Sequence, residues 1–249
     1  MKVIKTIEYF NNFDFKLMIV EPETLRYDVT VVYIHGMGGN PYQKKPEQIK
    51  NISITAGARF CCYELSGHAN SMELYDKAGI FEWAEQLEYL VTQRLKGKIL
   101  LMGSCLGGII GLLVGEKYPE RFLGVVGIGT ANVNWYKHVN QQQLSELETK
   151  GYTYKNLGAY SIPCRISRKF MLSTAEYDKK EKFEVPFPVH LMYGLADDIA
   201  SQDELFALNA KINAPEKVIK LVDKAVHRMT DKVSYNEMKN SILSMLTNL

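Results

Sequence analysis

Cysteine is scarce in this chain. Four residues in 249 (Cys61, Cys62, Cys105 and Cys164) are too few to staple a domain of this size. In a reducing compartment they are expected as free thiols, so a cysteine in a special setting is there for its chemistry. An excess of one charge is also absent. Thirty Lys+Arg against 28 Asp+Glu leave a net +2, which excludes the concentrated basic surface that holds a phosphate backbone and removes nucleic acid from the expected partners. Long apolar runs are missing as well. The first residues are interrupted by Glu8, Asn11, Asn12 and Asp14, and no later stretch reaches the length that spans a bilayer. Stable membrane insertion is therefore not expected, and the chain reads as cytoplasmic. Finally, there is no internal repeat, no low-complexity tract, no Ser/Gly linker and no His/Cys/carboxylate group at ligand spacing. One domain over residues 1–249, with no metal or other cofactor, is the expectation.

What is present is enough apolar material, 46% of residues, to fill one large core. It is arranged as β-branched runs alternating with helical patterns, which predicts an α/β sheet. Val3 to Phe10 and Phe15 to Val20 read as an antiparallel hairpin, and Val29 to Ile34 as a buried strand running into His35-Gly36. Arg59 to Glu64 follows, then a helix on which Ile80, Trp83, Ala84, Leu87, Leu90 and Val91 share one face. Ile99 to Met102, Phe122 to Gly129, Val189 to Tyr193 and Val218 to Val222 are further strands, and a last helix turns Met238, Ile242, Met245 and Leu249 inward. Between Thr130 and Pro188 the alternation breaks into a polar helix, Gln141 to Lys150, and aromatic-rich turns around Tyr152, Tyr154 and Tyr160. So long an interruption predicts an inserted lid at about 131–187.

The chemistry gathers at predicted strand ends. Gly103-x-Cys105-x-Gly107 lies where a strand passes into a helix, the setting of a nucleophile elbow, and only Cys105 has glycine two residues away on both sides. The following helix aims its N-terminal amides at Cys105, an arrangement that favours a thiolate and offers the Leu106 N–H as an oxyanion donor. The glycine-rich loop His35-Gly36-Met37-Gly38-Gly39 leaves an earlier strand, and the Met37 N–H is its candidate second donor. Asp197, three residues past Gly194, and His227, after the last strand, supply an acid and a base in the order nucleophile, acid, histidine. Asp198 is expected to face solvent, His190 to be a satisfied core residue, and His35 to orient its loop.

Through His35-Gly36-Met37-Gly38-Gly39, Tyr63-Glu64-Leu65-Ser66-Gly67-His68, Gly103-Ser104-Cys105-Leu106-Gly107-Gly108, Gly194-Leu195-Ala196-Asp197 and Val226-His227-Arg228, the chain resembles the α/β-hydrolase superfamily over nearly its full length. The stretch Tyr118-Pro119-Glu120-Arg121 adds similarity to the compact branch that hydrolyses acyl-protein thioesters and acyl glucuronides. The resemblance implies a mostly parallel central sheet with helices on both faces and an inserted cap. It also implies an esterase or thioesterase working through Cys105, His227 and Asp197, with Met37 and Leu106 forming the oxyanion hole. Cysteine in place of serine is shared with dienelactone hydrolases, which makes a lactonase the second reading; the third is a ligand-binding homologue without turnover. The expected partner is a small-molecule or acylated substrate, and oligomeric state is left open.

Overall fold

The computed structural model describes residues 1–68, 75–132, 135–156 and 163–248. Strands β1 (Lys2–Phe10) and β2 (Phe13–Glu21) form the hairpin, with Asn11 and Asn12 both at positive φ in its two-residue turn. Asparagine tolerates that region because its short amide can bond locally, and the mirror-type turn matches the twist of the strands. β3 (Val29–Ile34) is buried along its whole length. It leads to α1 (Lys44–Ala56), β4 (Arg59–Tyr63), α2 (Ile80–Tyr89), β5 (Lys98–Ser104), α3 (Leu106–Lys117) and β6 (Phe122–Ile128).

Between β6 and the next strand of the main sheet come α4 (Gln141–Thr149), the hairpin β7 (Tyr152–Lys155) and β8 (Cys164–Ser167), α5 (Arg168–Asp178) and the short β9 (Phe183–Glu184). β10 (Val189–Gly194), α6 (Gln202–Lys211), β11 (Ile212–Asn213), β12 (Lys217–Val222) and α7 (Lys232–Thr247) complete the chain. Eight strands form one sheet in the order β1-β2-β4-β3-β5-β6-β10-β12. From β4 onward every neighbouring pair is parallel, and only β2 runs against β1 and β4. This is the α/β-hydrolase fold that the sequence predicts.

The sheet is covered on both faces. Trp83 and Leu87 of α2, Ile109, Ile110 and Leu112 of α3, Phe170 of α5 and Leu205 of α6 belong to one apolar cluster. Ile49 and Ile52 of α1 join Met238, Ile242 and Met245 of α7 in the other. Of the parallel strands, β3, β4, β5, β6 and β10 contribute alternate residues to the two clusters, which is why they read as apolar runs.

Several elements were not expected, among them α1, α5, α6 and the short strands β7, β8, β9 and β11. α1 has few apolar positions (Ile49, Ile52, Ile54) among polar ones, so its helical period is faint; its end is marked by Gly57 at φ 88°. α5 lay hidden in the interrupted region. Its start is fixed by Ser167, whose hydroxyl accepts from the Phe170 amide. Tyr152 and Tyr154, expected in turns, lie on β7, whereas Tyr160 falls outside the described residues.

Candidate active site

The turn from β5 to α3 is shaped by close backbone approach. A Cβ added at Gly107 would sit 2.5 Å from the Ile34 carbonyl oxygen of β3, and one at Gly103 would collide with the Gly107–Gly108 backbone of α3. Only glycine lets helix and sheet meet here, and that pressure holds Cys105 between them at φ 52° and ψ −117°. A non-glycine residue in such a conformation stores on the order of 1–3 kcal/mol, released only if the turn relaxes. Neighbouring strands prevent this: the Cys105 amide donates to Ile128 O at 2.9 Å, and Thr130 Oγ1 donates to Cys105 O at 2.9 Å. Cys105 is partly exposed.

His227 follows β12 and is buried, at 5% exposure. Its Nδ1 lies 2.8 Å from Asp197 Oδ2, which fixes Nδ1 as the donor and leaves Nε2 for Cys105. The Asp197 side chain is fully buried. Its Oδ1 accepts from the Ile199 and Ala200 amides at 2.8 and 3.0 Å, so every strong interaction of the carboxylate is fixed by backbone or imidazole. Burial would lower the His227 pKa. The charge of a Cys105 thiolate, with the hydrogen bonds to Asp197 and Cys105, outweighs it and holds the imidazolium up to about 10. Asp198 and Asp223 are both exposed, as the sequence suggests for Asp198.

The loop after β3 packs against the elbow, since a Cβ at Gly36 would lie 2.9 Å from Cys105 Cβ. Met37, the next residue, is buried in the core, and Leu106 opens α3, where first-turn amides have no intrahelical acceptor. His35 pins this loop: its Nδ1–H donates to Gly36 O at 2.8 Å and its Nε2 accepts from the Leu65 amide at 3.1 Å. Burial drives its pKa down to about 4, so it is a neutral structural imidazole. His68, packed 5.1 Å from His35 and against Tyr75 and Trp83, is likewise pushed down by burial, to about 3. His190 is buried in β10 between Ser241 and Glu216, a satisfied core residue.

One residue near Cys105 escaped the sequence analysis. Lys45, in the first turn of α1, is only 6% exposed and donates to Ser104 Oγ at 2.8 Å. With α1 itself illegible, nothing in the sequence marked it. Among the described residues no three His, Cys, Asp or Glu side chains converge on a metal position.

Comparison with known proteins agrees with this fold. The chain is similar to the mitochondrial palmitoyl-protein thioesterase ABHD10 of Rattus norvegicus, 24% identical over 210 residues that cover 81% of this chain and 69% of that protein. The Homo sapiens counterpart is 20% identical over 229 residues, covering 88% and 73%. Among solved structures, alpha/beta hydrolase domain-containing protein 10 from mouse superposes with a TM-score of 0.84 at 20% identity, over 98% of this chain and 99% of that one. A soluble variant of monoglyceride lipase from Saccharomyces cerevisiae gives 0.79 at 18% identity, over 100% and 97%. The profile of the alpha/beta hydrolase fold family matches residues 29–157, more than half of the chain and the whole span from β3 through the elbow into the inserted segment. With that match and the strand order in agreement, the chain belongs to the alpha/beta hydrolase fold family.

Proposed function

We propose that this protein is an acyl hydrolase, an esterase or thioesterase that works through a covalent acyl-Cys105 intermediate. The observation that carries the reading is the His227–Asp197 hydrogen bond of 2.8 Å, formed beside a cysteine held at positive φ on a strand-to-helix turn. A pocket used only for binding has no need of a buried carboxylate orienting an imidazole. The thioesterases and lipases to which the chain is similar support the same class of reaction.

In the first step the Cys105 thiolate attacks the acyl carbonyl, its proton having passed to His227 Nε2 while Asp197 keeps Nδ1 as donor. The carbonyl oxygen takes the negative charge between the Met37 and Leu106 amides, each such donor being worth about 3 kcal/mol. The bond to the leaving group breaks, and that group receives the proton from His227. Water then gives a proton to His227, attacks the acyl-thioester and expels Cys105 as the thiolate.

The sulfur sets a preference. From one tetrahedral intermediate the less basic group leaves, so a simple alkoxide loses to Cys105 and the reaction runs backwards, whereas a thiolate or weakly basic oxygen departs forwards. Activated acyl groups, namely thioesters, acyl glucuronides and enol lactones, are therefore the proposed substrates. The segment over residues 131–187 is proposed as the cap that selects the acyl chain. Its Trp135 is buried, 5.2 Å from the Phe170 ring of α5, and Phe170 in turn lies 5.9 Å from the Trp83 ring of α2, a packing that ties the segment to the helical layer. For location we favour the cytoplasm, a reducing compartment that keeps the four thiols free; the similar thioesterases are mitochondrial by name.

The test is kcat/KM for a thioester and an alkyl ester of the same acyl chain. Cys105→Ala and His227→Ala should each lose at least ~10²-fold, and Asp197→Asn somewhat less, because it orients rather than exchanges the proton. Cys105→Ser should shift preference toward the alkyl ester. Full activity in Cys105→Ala would end the proposal, and an unchanged preference in Cys105→Ser would transfer the specificity from the sulfur to the cap.

A further inference from the structure

Beside Cys105 lies a cavity of about 400 Å³ in which, among the described residues, lysine and arginine meet no carboxylate. Lys44, Lys45 and Arg228 line it together with Cys105 and His227, and among the described residues no Asp or Glu does. In a chain with a net charge of only +2, this is a local concentration of positive charge at the reacting centre.

Lys45 is the informative member. Its ammonium carries three donors, of which Ser104 Oγ takes one, and among the described residues no carboxylate forms an ion pair with it. Burying a cation without an ionic partner is costly. Burial accordingly pulls its pKa down to about 8; the charges of Cys105 and Asp197 push it up again, and Arg228 opposes them. Asp197 cannot serve as the missing partner, because its oxygens are taken by His227 and two backbone amides. Arg228, exposed and directly after His227 in the chain, lines the same cavity as the buried Lys45.

We propose that Lys45 and Arg228 form an anion subsite next to Cys105, one that takes a carboxylate or phosphate carried by the acyl donor within a few bonds of the scissile carbonyl. The proposal rests on the acyl-hydrolase reading and adds to it the charge of the substrate. Lys45 supplies a compact buried charge and Arg228 a planar donor pair, the two geometries that bind oxyanions well. The anion completes the ion pairing that the fold leaves open at Lys45, and it does so only when substrate is bound.

Three thioesters distinguish where the anion sits: S-phenyl thiobutyrate is neutral, the S-phenyl thioester of succinate carries a carboxylate on the acyl side, and S-(4-carboxyphenyl) thiobutyrate carries one on the leaving group. In the wild type one of the charged substrates should exceed the neutral one in kcat/KM by at least ~10-fold, and which one does so locates the anion. Lys45→Met and Arg228→Gln should each reduce that ratio several-fold, while Lys45→Arg should retain most of it. A Lys45 that merely supported the Cys105 thiolate would lower all three substrates together and leave the ratio intact, which overturns the proposal. So does a wild-type ratio near one. Should Lys45→Met fail to fold, exposed Arg228→Gln decides by the same ratio. If none of the three thioesters is hydrolysed, the acyl-hydrolase reading falls and the subsite falls with it.

Discussion

Acidification should destabilise this protein through His35, and the size of the effect follows from its surroundings. The ring is 1% exposed and committed as a neutral tautomer, donating to Gly36 O and accepting from the Leu65 amide. A second proton on Nε2 has no acceptor there and would set two N–H groups against each other. Burial therefore lowers the pKa from 6.5 to about 4. The folded value lies below the unfolded one, so the unfolded chain binds the proton first. The contribution is complete above pH 6.5 and is lost as pH falls toward 4.

Between pH 7.5 and 4.5 that single group should cost about 2.5 kcal/mol. For a chain of this length this is a fall in Tm of roughly 5–10 °C. His68, 5.1 Å away and lowered to about 3, adds to the loss with the same sign. Urea unfolding followed by the fluorescence of Trp83 and Trp135, for wild type and His35→Gln across this range, isolates the effect. The stability gap between the two proteins should narrow by about 2.5 kcal/mol on going to pH 4.5, because a glutamine side chain does not titrate. A gap constant to within ~0.5 kcal/mol would refute the linkage argument. It would also remove His35 as the fixed post of the candidate oxyanion loop.

The elbow geometry predicts that Gly107→Ala, whose Cβ would lie 2.5 Å from Ile34 O, destabilises by ~1–3 kcal/mol or more and lowers kcat/KM at least ~10-fold by displacing Cys105; unchanged thermal melting and turnover would contradict the close approach. Limiting iodoacetamide at neutral pH, read by peptide mapping, should label Cys105 first. Burial raises Cys61, raises Cys62 to about 12 and also raises Cys164, and prior labelling of any of these three would count against Cys105 as the activated thiol.

Much of the molecule is written locally. The glycines around Cys105, the apolar runs that became β3, β5, β6 and β10, and the positions of Asp197 and His227 just past strand ends are properties of short segments. A buried parallel strand needs apolar residues on both faces, and a strand-to-helix turn against a neighbouring backbone needs glycine. Those requirements leave marks that reading along the chain recovers. α1 and α5 left weaker marks because each buries only part of one face, so few apolar residues reveal the period. What tertiary structure alone decided is contact between distant segments. It brought His227 to 2.8 Å from Asp197, 30 residues earlier, by pairing β10 with β12 in register. It also turned Lys45 inward against Ser104. A lysine followed by Pro-Glu in a polar stretch looks solvated in sequence, and its burial depends on α1 packing over β3 and β4, a layer whose energy comes from Ile49 and Ile52 rather than from the lysine itself.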